Sequence, residues 1–116
     1  MTESEDRYQW WIVALLGATA IALGAFGAHV LEKVLTPKDL AIWNNAVFYH
    51  LTHAILCAFC IQSGRRLSAR IFTLGVICFS GSLYLYVLTH FFPLVFLTPV
   101  GGVFLILGWI FIPLKK

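Results

Sequence analysis

Charge is what this sequence has least of. Eight lysines and arginines and five aspartates and glutamates make up 11% of 116 residues, against 60% apolar and 16% aromatic residues. A soluble domain usually carries about a quarter charged residues, and so few charges cannot cover a surface of this size; a soluble globular fold is excluded. The net charge of +3 is too small and too scattered for a nucleic-acid footprint. Cysteine is scarce as well. Three cysteines, all in apolar runs, cannot build a disulfide framework. The apolar runs hold no Asp, Glu, Lys or Arg, which removes the usual charged pathway of an ion carrier. No glycine loop follows a strand to cradle a phosphate, and no serine or cysteine has an evident base beside it. An all-α integral membrane protein remains, with the lipid bilayer as its first partner, no nucleic acid, and no cofactor required by its residues.

The runs divide the chain into four predicted spans, about 10–31, 46–63, 69–89 and 98–113. Residues 1–8 read as an acidic tail, unlike an arginine-rich, acid-poor transit peptide. Trp10 to Ala28 is free of charge and long enough to cross a bilayer. Tyr8, Trp10 and Trp11 suit the headgroup level where it begins. Thr36-Pro37 is a helix start, with a threonine cap, proline at the first position and Asp39 at the positive end of the dipole. That helix is expected to run from Pro37 to Ser63 and stop at Gly64. Its first turns, with Lys38, Asp39, Asn44 and Asn45, belong to the interface, and it is the least hydrophobic of the four. Phe91 to Leu114 carries no charge but is broken by Pro93, Pro99 and Pro113. Either the fourth span starts near Pro93 and kinks at Pro99, or 91–98 is an apolar loop dipping into the bilayer and buried in protein. Thr98-Pro99 repeats the start signal of Thr36-Pro37 and favours the loop.

Four spans put the N-terminus, the middle loop and the C-terminus on one side. Arg7, Arg65, Arg66, Arg70, Lys115 and Lys116 lie there, against Lys33 and Lys38 opposite. The positive-inside rule therefore places both termini in the cytoplasm.

Small residues at helical spacing mark the expected interior of a four-helix bundle. They are Gly17, Ala20, Gly24 and Gly27 in the first helix, and Gly75, Cys78, Ser82 and Thr89 in the third. The fourth helix adds Thr98, Gly101 and Gly108, and in the second His50, His53, Cys57 and Cys60 fill the same role. Close backbone approach at such residues holds membrane helices together. Ala14, Ala18 and Ala22 form a second small-residue face on the first helix, expected to meet another subunit, either a second copy or a different membrane protein.

Histidine supplies the one candidate for chemistry. The predicted topology gathers His29, His50, His53 and His90 at the non-cytoplasmic end. His50 and His53, three residues apart, share a helix face and have the spacing of a metal chelate; histidines also relay protons. The bland alternative is that they hydrogen-bond backbone and close the end of the bundle. Cys57 and Cys60 have the spacing of a redox pair, but mid-membrane burial disfavours a thiolate and suits packing.

Gly24-Ala-Phe-Gly-Ala-His29, Tyr49-His-Leu-Thr-His-Ala54, Phe79-Ser-Gly-Ser-Leu-Tyr84, and Leu97-Thr-Pro-Val-Gly-Gly102 with Gly108-Trp109 occur in this order. Together they resemble a small bacterial membrane family known as domain of unknown function 423, which has a eukaryotic relative expected in the mitochondrion. The resemblance implies a four-span inner-membrane protein and carries over no activity or catalytic residue. It also implies that His50 stands where relatives more often have glutamine. The expected function is a non-enzymatic structural or accessory subunit of a membrane complex. The alternatives are a small homo-oligomeric transporter or channel with a histidine-rich mouth, and a metal- or haem-binding redox component.

Overall fold

The structure is a computed structural model that describes residues 3–114, with Glu3 and Glu5 described by their backbone alone. Lys115 and Lys116, which entered the charge count, lie outside the described residues. Helix α1 spans Glu3–His29 and α2 Pro37–Gln62; α3 spans Arg66–Thr89 and α4 Leu97–Ile110. Short 3-10 turns occupy Leu31–Lys33, Phe92–Phe96 and Ile112–Leu114. The longest dimension is 46 Å, the thickness of a bilayer with its headgroups, about 40–45 Å. Three stretches are long and apolar enough to cross a membrane: Asp6–Lys33, Arg66–Thr89 and Phe92–Leu114. Helix α2 is as long but carries Lys38, Asp39, Asn44, Asn45, His50 and His53.

Local chemistry fixes the helix ends. Thr36 caps α2 by accepting from the Asp39 backbone N–H at 3.1 Å, and Pro37 costs nothing at a position with no intrahelical acceptor. At the other end Gly64 takes a positive φ of 79°. The Arg65 N–H then reaches the Cys60 carbonyl and the Gly64 N–H the Ile61 carbonyl, the paired bonds of a Schellman turn.

Two expectations about ends are corrected. Residues 3–8 of the expected tail are not separate but helical, because α1 already begins at Glu3; residues 1 and 2 lie outside the described residues. Acidic side chains suit the positive end of a helix dipole, and Asp6 is held by Arg66 of α3 in a two-pronged ion pair at 2.9 and 3.1 Å. Nor is 91–98 a loop. Phe92–Phe96 forms a 3-10 turn that runs directly into α4 at Leu97. Thr98 caps nothing, and its hydroxyl instead bonds Ser82 at 2.5 Å. Pro99 falls in the first turn of α4, where its missing N–H would have had no partner. The phenylalanines Phe91, Phe92 and Phe96 face outward.

The helices pack in chain order, α1 on α2, α2 on α3 and α3 on α4. Arg66–Asp6 brings together the starts of α1 and α3. Arg65 donates to the Ile112 carbonyl at 2.8 Å and so adds the end of α4 to the same pole. At the other pole His90, left-handed at φ 53°, pairs with Asp39 of α2 at 2.8 Å.

Glycine sets the close crossings, though not every expected glycine does. A Cβ on Gly101 would fall 2.2 Å from the Phe79 backbone nitrogen, and one on Gly75 2.6 Å from the Leu105 side chain. On Gly108 it would meet the Phe72 ring at 2.5 Å, on Gly27 the Trp43 indole at 2.7 Å, and on Gly24 Val47 at 3.2 Å. Gly17 is the exception: nothing lies within 4 Å of a Cβ there, because the buried face of α1 passes through Leu16 and Ala20 instead.

Candidate functional site

The two α2 histidines lie deep in the protein. By the rise of a helix His50 is about 16 Å and His53 about 21 Å along α2 from Asp39, and both are buried. Their partners fix their tautomers. The Thr19 hydroxyl of α1 donates to the Leu15 carbonyl at 2.7 Å, so its oxygen accepts from His50 Nε2–H at 3.1 Å. His50 Nδ1 is then unprotonated and accepts from the Tyr84 hydroxyl of α3 at 2.9 Å. A neutral imidazole has one donor and one acceptor nitrogen, and here both are used. His53 has the opposite tautomer. Its Nδ1–H donates to the Tyr49 carbonyl at 2.8 Å, and its Nε2 accepts from the Trp109 indole N–H of α4 at 3.2 Å. One histidine thus ties α2 to α1 and α3, and the next ties α2 to α4. Nitrogen-15 spectra of the protein in micelles are expected to show an Nε2–H ring and an Nδ1–H ring for His50 and His53. Two rings of the same tautomer would contradict the assignment.

The four histidines therefore do not gather at one end as the sequence reading placed them. His29 is exposed in the last turn of α1, and His90 is engaged with Asp39 at the same pole. Among the described residues no three His, Cys, Asp or Glu side chains come together as a metal-binding group. His50 and His53 share a helix but turn to different neighbours, and ligating a metal would break a bond each already makes. The cysteines are free thiols. Cys57, buried, contacts the Ala69 carbonyl at 3.6 Å and the Thr73 hydroxyl at 3.8 Å, as a packing residue does.

A second feature lies beside this network. Because α1 packs on α2 and not along α3, the two flanking helices leave a cleft floored by α2. It holds two cavities of about 560 and 530 Å³ that share Tyr8, Ile12 and Thr73 in their walls. At the arginine-rich pole the walls include Ser4, Gln9 and Arg70; further along they are Leu15, Leu16, Val76 and Ile77. Gln9 is only 6% exposed, yet its Oε1 is buried with no hydrogen-bond partner, a state that costs about 1–3 kcal/mol.

Residues 23–102 match the family model described as "Protein of unknown function (DUF423)", which is more than half of the chain. The chain belongs to the DUF423 family. Its relatives include a UPF0382 membrane protein of Staphylococcus saprophyticus, 39% identical over 84% of this chain and 86% of the relative. Another is the UPF0382 inner membrane protein YgdD of Escherichia coli K12, 34% identical over 90% of this chain and 85% of the relative. No solved structure matches the chain. With three membrane-capable helices and relatives so named, this DUF423 protein is a multi-pass protein of the cell inner membrane.

Some working residues escaped the sequence reading. Trp43 donates its indole N–H to the Leu23 carbonyl at 2.9 Å and lies over Gly27. A tryptophan in the least apolar helix, opposite a glycine face, was the available signal, since a buried indole N–H needs an acceptor. Thr19 and Tyr84 gave none: a threonine in a membrane helix ordinarily bonds its own backbone, and only the fold shows which histidine nitrogen it also serves. Gln9, a lone polar residue among aromatics, lies outside the stretch that matches the family model.

Proposed function

We propose that this DUF423 protein is a four-span protein with both termini in the cytoplasm, acting as a non-enzymatic accessory subunit of a larger membrane complex. The carrying observation is the outer face of α1. One side of the helix packs through Leu16, Ala20 and Gly27, while Ala14, Ala18 and Ala22 are exposed on the opposite side. Three small residues one turn apart form the kind of surface on which a second membrane helix packs closely. The histidines support the same reading: His50 spends both ring nitrogens on neighbouring helices, and His53 one on its own helix and one on α4, which fits a fastening role better than a metal, haem or proton-carrying one.

The connectivity supports four spans. Helices α1 and α3 start at the same pole, joined by Asp6–Arg66, so the chain must return between them. Helix α2 makes that return over 26 residues, with His50 and His53 buried against α1, α3 and α4 and Lys38, Asn44 and Asn45 exposed near its start. In a chain whose own cysteines are replaced, Arg7→Cys is expected to react only with a reagent that enters the cytoplasm and Lys33→Cys with an impermeant one. The reverse pattern contradicts the orientation.

The function is tested by a photo-reactive residue at Ala18, with Leu85, an outward residue of α3, as control. In living cells Ala18 is expected to cross-link a different polypeptide and Leu85 to give no such adduct. Adducts with only a second copy of this chain would instead favour the homo-oligomeric transporter reading.

A further inference from the structure

We propose that the cleft between α1 and α3 holds one phosphatidylglycerol molecule, its headgroup between Gln9 and Arg70 and one acyl chain along the cleft. Three observations converge on this. The first is Gln9 Oε1, which is buried without a partner in the cavity wall. A carboxamide oxygen only accepts, so its missing partner is a hydrogen-bond donor. The glycerol hydroxyls of the headgroup supply one.

The second is charge. Arg70 lines the same cavity, and Arg65 and Arg66 precede it at the start of α3. A guanidinium has five N–H donors, enough to bond a phosphate beside the partner Arg70 already has. An anionic phosphodiester therefore suits this pole better than a zwitterion bearing its own cation.

The third is shape. Beyond Gln9 the walls turn apolar, with Ile12, Leu16, Val76 and Ile77. Gln9 to Thr19 covers about 15 Å of helix, half of the roughly 30 Å hydrocarbon core and so the depth of the single leaflet that one acyl chain fills. The chain would end where the Thr19–His50 bond crosses the floor of the cleft. A partner's transmembrane helix is too large an occupant. As a cylinder about 10 Å across and 30 Å long it fills on the order of 2,000 Å³, whereas the cavities are about 560 and 530 Å³. The cleft also lies away from the Ala14–Ala18–Ala22 face, so this site does not depend on the subunit reading.

The test is native mass spectrometry of the full-length protein in detergent, titrated separately with phosphatidylglycerol and phosphatidylcholine of identical acyl chains. One phosphatidylglycerol per chain is expected, retained at least tenfold more tightly than phosphatidylcholine, which has neither a headgroup hydroxyl nor net negative charge. Gln9→Leu should remove most of that preference without lowering thermal stability, since it replaces an unpartnered amide with an apolar side chain. Leu74→Trp is the second variant: Leu74 is an exposed residue of the cleft wall, so an indole there blocks the cavity without entering the core, and retention of the lipid should be lost. Equal retention of the two lipids, or full preference in both variants, would overturn the proposal. A polypeptide cross-linked from position 74 in cells would overturn it too.

Discussion

Gly101→Ala is expected to be the most damaging single-methyl change in the protein. The added carbon would fall 2.2 Å from the Phe79 backbone nitrogen and 2.7 Å from its Cα. Both atoms belong to the middle of α3, and neither can swing aside as a side chain does. Relief requires α4 to move away from α3, which breaks the Ser82–Thr98 hydrogen bond and opens the contact of Gly75 with Leu105. Overpacking of a close contact costs about 1–3 kcal/mol and sometimes more, and this position belongs at the upper end. The matched control is Gly17→Ala. Nothing lies within 4 Å of that Cβ, and replacing a helical glycine by alanine contributes up to about 1 kcal/mol. Thermal unfolding in one detergent should show a large fall for the first variant and no fall for the second. Equal effects would mean that α3 and α4 do not cross at Gly101.

The second large effect is expected at His50, where the choice of replacement matters more than the loss of the ring. His50→Leu removes the acceptor of the Tyr84 hydroxyl, on a residue 8% exposed, and the donor to Thr19. Leaving a buried hydroxyl unpaired costs about 1–3 kcal/mol, and the link among three helices goes with it. His50→Gln should restore most of the loss. Its amide oxygen can accept from Tyr84 while its NH₂ donates to Thr19, the same polarity as the ring. Glutamine is also the residue that the family resemblance implies at this position. His53→Leu should be milder, because Trp109 is half exposed and its indole N–H can turn to the interface. If glutamine at position 50 is as damaging as leucine, the imidazole itself is required, and a metal or proton role returns to consideration.

These two positions also show how far the sequence could be read. Gly101 stood out because glycine in an apolar helix has few explanations other than close approach, and the helix period assigned it to the inner face. The same rule failed at Gly17, since a period alone does not fix the buried line to within one residue, and on α1 that line runs through Leu16 and Ala20. The cap at Thr36 was legible because its chemistry is local. The identical Thr98-Pro99 dipeptide misled, because the preceding Phe92–Phe96 turn already supplies a helical backbone and Ser82 claims the threonine hydroxyl. The histidines were singled out by residue type, and the expectation that all four gather at one end did not match the fold. The helix was expected from Pro37 with its first turns in the interface, which put the histidines at its mouth, whereas the fold sets Asp39 beside His90 at the pole and buries His50 and His53 further along α2. The cleft could not have been found from sequence at all. It arises from α1 leaning mainly on α2 and meeting α3 at its start through Asp6–Arg66, a matter of helix crossing that no residue pattern in α1 announces.

The accessory-subunit reading rests on a partner meeting the outer face of α1, and one measurement addresses it most directly. The protein should be extracted gently from its own membrane, at its natural abundance, and weighed by native mass spectrometry. The expected result is an assembly containing at least one other polypeptide, which Ala18→Trp releases. A homo-oligomer or a lone chain, with no other polypeptide at any extraction strength, would contradict the reading.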